Sequence, residues 1–349
     1  MADPYDVVIV GAGPGGLSCA RHLSGSGLRI LVLEKNDRLG KKICSGEISP
    51  KVLPDERFDR GHPWTEITVG TDTTKQTLSF SKPFLWTIGR SEFENYLKSG
   101  CGPDVEIRFS EPVIEITPEY VETSKNRYSY KHLVGADGSF SAVRKHLALA
   151  TKNICGWAYH FVLDKPCPEF QMFWLPKTFP GAYGYMMSKS RNQTMVGLAW
   201  RDEEFDHKMA ERAKGWVAKT FDLNINDKIN GKKLQSEAMK GNADYRGWRF
   251  GNIYLIGDAG GFLNPLTTEG MYYAVKSGEG VAKHIKGDRE GERIMESLAS
   301  AHRWQVRLFH LATDTRLPFC WIVDWILKDP RTGIRRKIFD FVFWKFMEG

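Results

Sequence analysis

Three observations predict an α/β protein built around a parallel βαβ unit. A β-rich run, Tyr5-Asp-Val-Val-Ile-Val10, ends directly on Gly11-Ala-Gly-Pro-Gly-Gly16; a helical stretch, Leu17 to Ser24, and a second strand, Arg29 to Leu33, follow. Two further short apolar strands, Leu133-Val-Gly-Ala-Asp-Gly138 and Ile253-Tyr-Leu-Ile-Gly-Asp258, also run into aspartates. Residues 65–86 and 153–200 alternate apolar and polar side chains, the period of antiparallel strands.

The first unit has the order that a Rossmann-like dinucleotide site requires: strand, glycine loop, helix, strand, acid. Gly11 allows the tight turn out of the strand, Gly13 lets backbone approach a pyrophosphate, and Gly16 permits close helix–strand packing. Ala12, Pro14 and Gly15 complete the loop. The helix N-terminus then offers free N–H groups and a partial positive charge to phosphates. Glu34, at the end of the second strand, can accept hydrogen bonds from ribose hydroxyls, and its charge disfavours a 2′-phosphate. The loop alone does not separate FAD from NAD.

The two aspartate strands bear on that choice. Asp137, followed by Gly138, Ser139, Ser141 and Arg144, reads either as a cofactor ligand or as a turn or helix cap. The same two readings hold for Asp258, which can take a ribityl hydroxyl. The segment Asn264-Pro265-Leu-Thr-Thr-Glu-Gly270 leads into a helix from Met271 to Val281, presenting N–H groups where an isoalloxazine ring would gain negative charge. In this order the three motifs resemble FAD enzymes built like aromatic hydroxylases, in which a glycine loop, an Asp-Gly motif and a Gly-Asp motif wrap one FAD. The resemblance spans most of residues 1–300. It implies FAD as cofactor and a Rossmann-like FAD-binding domain interleaved with an antiparallel β-sheet substrate domain. It also places Lys35, Arg90, Asp137, Gly257, Asp258, Gly270, Met271 and the Val113 backbone at the cofactor. No second GxGxxG is present. A nicotinamide donor, NAD(P)H, would therefore visit the flavin transiently, or a ferredoxin-type carrier would supply the electrons.

Within that group the chain resembles the geranylgeranyl reductase family over three stretches. They are Lys41-Lys-Ile-Cys-Ser-Gly-Glu-Ile-Ser49, Phe179-Pro-Gly-Ala-Tyr-Gly-Tyr185, and Gly257 to Gly270 with Tyr272, Tyr273 and Gly278. This resemblance implies hydride delivery to carbon–carbon double bonds of an isoprenoid lipid or pigment precursor. It places Lys42, Cys44 and Gly46 beside the flavin, and Tyr183 and Tyr185 on the substrate side as catalytic candidates. Tyr185 stands where the family has tryptophan, and Met187-Ser188 replace its Phe-Pro. Aromatic hydroxylases usually read Gly-Asp-Ala-Ala-His where this chain has Gly257-Asp-Ala-Gly-Gly261, which favours the reductase branch. Cys44 reads as either a proton relay or a buried inert thiol.

The remaining features bound the answer. A composition of 42% hydrophobic and 26% charged residues is that of a folded chain, and the net charge of +7 suits phosphate-bearing ligands or an anionic membrane surface. Six scattered cysteines with no CxxC point to a reduced, cytoplasmic chain with no metal site. From Trp304 to Phe346 aromatic residues interleave with arginines and lysines, suiting either a membrane-interface helix or an arm packed on the body. Nothing else follows a nucleic-acid module. The expected layout is 1–64 with 87–150 and 247–300 as the FAD-binding domain, 65–86 with 151–246 as the substrate domain, and 301–349 as a C-terminal helical segment. Three functions compete. They are an FAD-dependent reductase of isoprenoid double bonds, an FAD-dependent monooxygenase of an aromatic or quinone-like substrate, and a non-catalytic prenyl-binding protein like the Rab escort type.

Overall fold

A computed structural model describes residues 4–42, 44–52, 61–71, 73–149, 156–167, 169–174, 183–190, 192–201, 207–220, 235–265, 267–314, 325, 328 and 333–339. The chain forms two compact units: Met1–Lys42, Arg90–Ile154 and Gly241–Val306 in the first, Ile43–Gly89, Cys155–Lys240 and Arg307–Gly349 in the second.

The first unit is a twisted sheet in the order Arg249–Phe250, Ile253–Leu255, Arg127–Gly135, Tyr5–Val10, Ile30–Leu33, Val105–Arg108. The last five strands pair in parallel, and only the Arg249–Phe250 edge is antiparallel. Parallel strands covered on both faces lose the apolar–polar alternation, which is why Ile30–Leu33 is buried throughout. A meander, Val113–Ile116 and Tyr120–Thr123, continues antiparallel from the Arg127–Gly135 strand. Helices Pro14–Leu23 and Met271–Ile285 pack closely through small residues. A Cβ added to Gly278 would lie 2.4 Å from Gly15 O, and Ser18 Oγ donates to Val275 O at 2.7 Å. That contact brings the N-termini of both helices to one region.

The second unit is a seven-stranded sheet in the order Gln235–Lys240, Gly156–Leu163, Gln193–Arg201, Tyr183–Ser190, Gln171–Trp174, Glu66–Gly70, Lys75–Ser79. One pair departs from the antiparallel expectation: Gln171–Trp174 runs parallel to Glu66–Gly70. About a hundred residues of chain separate these strands, so no hairpin dictates their direction. Helix His207–Thr220 buries Ala213 and Val217, and Trp216 lies 5.4 Å from the ring of Phe173 on one face of the sheet. The other face carries Val69, Val162, Met172, Tyr185, Met187 and Met195, packed with Trp64, Leu85 and Phe170.

The unit borders differ from the expected ones by a few residues at 87–89 and 151–154 and more substantially at three other places. Residues 43–64 join the second unit because Glu47–Ile48 and His62–Trp64 both pair with Leu85–Thr87 in a small sheet. Residues 241–246 join the first, where Leu263 N–H donates to Asn242 O at 3.2 Å. The helix Arg289–Asp314 runs straight through the expected border at 300, with His302 bonded to Leu263 O and Gln305 to the Tyr273 hydroxyl. In the tail, Trp304, Trp325 and Ile334 are exposed, Arg335 lies 4.8 Å over the Trp325 ring, and a short helix covers Gly333–Phe339. Trp321, Phe341, Phe343, Trp344 and Phe346 lie outside the described residues. Among the described residues no helix is long and apolar enough to cross a membrane.

Candidate functional site

The glycine loop separates into two kinds of glycine. Gly11 has a φ of +103°, and an added Cβ there would lie 2.5 Å from Ala136 O; one on Gly16 would lie 1.9 Å from Gly11 O. Those two positions are demanded by the protein itself. Gly13 is not, because its added Cβ would meet only Arg90 Nη2, at 3.5 Å. Gly13 is also the N-cap of the helix, which starts at Pro14 rather than Leu17, and no side chain caps it. Free N–H groups facing space that a side chain would fill are what a pyrophosphate needs.

Glu34 ends the second strand, is almost fully buried, and accepts from Ala12 N–H at 2.9 Å through Oε2. Its Oε1 accepts from the Asn36 backbone and side-chain amides at 2.9 and 2.7 Å. Carboxylate oxygens have about four lone-pair sites, so ribose hydroxyls can still be taken. Lys35 is exposed beside it. Ser110 and Glu111 donate their N–H groups to Asn36 O and Glu34 O, which carries the chain past Glu34 towards Val113.

Arg90 opens helix Arg90–Ser99 and links three elements. Its Nε pairs with the buried Glu94 carboxylate, which also accepts from Gly40 N–H, and its Nη1 lies 3.3 Å from Met271 Sδ. This is a half-buried bridge between the glycine loop and the second helix N-terminus, not a surface ion pair.

The two aspartates are held differently. Asp137 accepts from the Ser141 hydroxyl, Ala142 N–H and Val143 N–H, so it caps helix Ala142–His146. Burial raises its carboxyl above the ordinary aspartate value, against the lowering by those donors. Its oxygens serve the protein, and the open backbone at Gly138, with a φ of +79°, is what it leaves facing outward. Asp258 does not end a strand: the strand stops at Leu255, and Asp258 lies in the short helix Gly257–Gly260. Its Oδ2 accepts from Lys42 Nζ at 3.0 Å and Ser139 Oγ at 3.1 Å, and a Cβ added to Gly270 would lie 3.3 Å from its Oδ1. Lys42, Ser139, Asp258, Gly270 and Met271 are thus brought together.

Sequence reasoning missed Glu269. It accepts from Tyr272 N–H at 2.8 Å at the start of helix Met271–Ile285, and burial pushes its carboxyl up to about 7. An acid placed just ahead of a helix start was the available signal. Arg144, Asn242 and Asp244 were missed as a group as well; they form a buried polar lattice.

In the second unit, Cys44 is half-buried and its Sγ accepts from Gly46 N–H at 3.4 Å. Gly46 has a φ of +77° and an added Cβ there would lie 2.0 Å from Ile88 O, so only glycine fits. Tyr185 is buried and shares a hydrogen bond with the buried His160 Nε2, a residue that sequence reasoning missed. Burial, then the charges of Glu47 and Cys44, push its phenol well above the usual tyrosine value. His160 and Tyr185 stand in register on either side of Gly197, whose added Cβ would lie 2.1 Å from Tyr185 Cζ. Tyr183 begins the same strand opposite Trp174; its side chain lies outside the described residues. No group of three metal-ligating side chains is found among the described residues.

A parallel sheet with an open Gly13 at a helix N-terminus, a strand-end acid and an Asp-Gly loop at a second helix N-terminus defines a flavin-dependent oxidoreductase. Residues 9–72 match the NAD(P)-binding Rossmann-like domain model, and residues 104–306, more than half the chain, match the FAD binding domain model. The chain therefore belongs to the FAD-binding-domain family, and its cofactor is FAD. A digeranylgeranylglycerophospholipid reductase of Methanocaldococcus jannaschii is 26% identical over 337 residues, covering 87% of this chain and 83% of that one. A geranylgeranyl bacteriochlorophyll reductase-like structure from Thermoplasma acidophilum matches with a TM-score of 0.68 at 16% identity, covering 97% of this chain and 91% of that one. Pseudomonas aeruginosa PqsL in complex with 2-aminobenzoylacetate matches at 0.66 and 17% identity, covering 86% and 92%. At these identities the two solved structures speak for the fold.

Proposed function

We propose that the protein reduces carbon–carbon double bonds of an isoprenoid lipid or pigment precursor. The observation that carries this reading is Gly261. Its φ is +79°, and an added Cβ would lie 2.4 Å from the Asp244 backbone. The histidine that hydroxylases usually carry there has no room, and the glycine matches the reductase pattern. Support comes from the relative named digeranylgeranylglycerophospholipid reductase, which aligns over most of both chains.

FAD, once reduced by NAD(P)H or a ferredoxin-type carrier, supplies the hydride. Gly11 to Gly16, with the helix N-terminus and Arg90, hold the pyrophosphate, and Glu34 with Lys35 and the Val113 backbone hold the adenosine end. Lys42 and Asp258 hold the ribityl chain, with Asp137 acting by capping the segment that carries Ser139. Gly257, Gly270 and Met271 present backbone to the flavin ring. Cys44 or an ordered water is the candidate donor of the proton to the second alkene carbon, and Tyr183 and Tyr185 remain the substrate-side catalytic candidates. An isolated alkene accepts hydride poorly, so the substrate side must be dry and must hold carbon close. The exposed Trp325 and Ile334, with Lys328 and Lys337 also exposed in the same unit, would meet a lipid-bearing membrane surface.

The test is anaerobic. Chemically reduced protein is mixed with geranylgeranyl-bearing lipid and the product is weighed by mass spectrometry. Two added hydrogens per reduced bond are expected. Unchanged lipid mass would overturn the reading; in a separate incubation under oxygen-18 gas, label entering an aromatic substrate would make the protein a monooxygenase. A protein that is colourless and cannot take up FAD would be a prenyl carrier.

A further inference from the structure

Among the described residues Arg144 heads the fully buried side chains by size, and none of the roles above uses it. It lies in the first unit, on helix Ala142–His146, directly after the two residues whose N–H groups Asp137 accepts. Its Nη2 donates to Asp244 O at 2.6 Å and to Asp244 Oδ2 at 3.2 Å, and its Nη1 donates to Ala259 O at 3.4 Å. Asp244 also pairs with Arg246 Nε at 2.8 Å and donates its N–H to Asn242 Oδ1 at 2.9 Å. Asn242 Nδ2 in turn donates to Asp258 O at 2.9 Å. The lattice therefore holds the backbone carbonyls of both Asp258 and Ala259. It also sets the Asp244 backbone against Gly261, where no side chain fits.

We propose that Arg144 is a positioning residue for Asp258, acting through Asp244, Asn242 and the Ala259 carbonyl. Charge and shape both enter. A guanidinium reaches two acceptors in fixed directions, so it sets a distance between segment 242–244 and segment 257–261 that a lysine ammonium cannot reproduce. Asp258 is thereby held from its backbone side by this lattice and from its carboxylate side by Lys42 and Ser139. Burial makes the arrangement stiff, because a partner lost from a desolvated charge is not replaced by water.

The inference rests on Asp258 being a flavin ligand, and a double-mutant cycle separates the two claims. Apoprotein is titrated with FAD for Arg144→Lys, Asp258→Asn and the double variant, following flavin fluorescence and the visible absorption band. Arg144→Lys is expected to weaken FAD about tenfold and shift the visible band, and the double variant to bind no worse than Asp258→Asn alone. Asn242→Ala, which keeps the Arg144 and Asp244 side chains but removes the bonds of Asn242 to Asp258 O and Asp244 N–H, is expected to reproduce the shifted band and weaker binding. It serves as the deciding variant should Arg144→Lys not fold. Additive losses, or a lowered Tm with unchanged affinity and spectrum, would reduce Arg144 to a core residue and overturn the proposal. An Asp258→Asn variant that binds FAD like the wild type overturns the ligand reading and the proposal with it.

Discussion

Asp137 and Asp258 follow neighbouring parallel strands of one sheet, Arg127–Gly135 and Ile253–Leu255, yet they are held in opposite ways. After the first strand the chain enters a helix whose N-terminal amides turn back onto the Asp137 carboxylate. After the second, the glycines of Gly257-Asp-Ala-Gly-Gly261 allow a single tight helical turn, and among the described residues the Asp258 carboxylate accepts from two side chains, Lys42 and Ser139. An aspartate whose oxygens accept backbone amides belongs to the fold. One held by a lysine and a serine hydroxyl at a helix start is available to a ligand.

Four measurements would break or sharpen this contrast. The largest effect is expected from Asp137→Ala, which removes three hydrogen bonds and a cap from a buried site. The apoprotein should lose about 3 kcal/mol of stability in urea titration. A loss confined to FAD affinity would erase the contrast.

The second concerns Glu269, whose folded-state pKa of about 7 lies above its ordinary value of 4.5. The folded protein then holds the proton more tightly than the unfolded chain, so stability falls as pH rises from about 4.5 to 7 and stays lower above it. Glu269→Gln should remove this decline, about 3 kcal/mol. Tm measured across the range on apoprotein checks it, and parallel curves for variant and wild type would contradict it.

Third, Asp258→Asn should leave apoprotein Tm nearly unchanged while weakening FAD about tenfold, some 1.4 kcal/mol. Smallest of all, Lys42→Ala breaks a pair whose lysine is 43% exposed, and stability should change by less than about 0.5 kcal/mol. A larger change would mean that Lys42 supports the fold as well as the site.

Much of the first unit was legible because its signals are local. Gly16 sits within a few residues of the Gly11 carbonyl that excludes its side chain, Gly11 takes a positive φ at the turn out of its own strand, and Glu34 follows its own strand. Arg90 was found through resemblance, and its bridge from Gly13 to Met271 could not be read from spacing. The misplaced border at 43–64 has a non-local cause. Glu47–Ile48 and His62–Trp64 are too short to announce themselves, and they exist only because Leu85–Thr87 pairs with both. His160 was hidden for a similar reason. On an alternating strand it looks like one more inward residue, and Tyr185 reaches it only across a glycine on the strand between.

By itself the sequence determined that the chain opens with a Rossmann-like strand, glycine loop and helix and that the fold is α/β. Backbone conformation and strand period act over a few residues and leave their mark in residue type. Only the tertiary structure decided that Asp137 caps while Asp258 faces Lys42. It alone decided that Glu269 lies desolvated at a helix start, and that Arg144 joins Asp244 and Ala259. Each of those depends on which donors and charges the fold brings from distant parts of the chain, and the chemistry of a buried polar group is set by such partners.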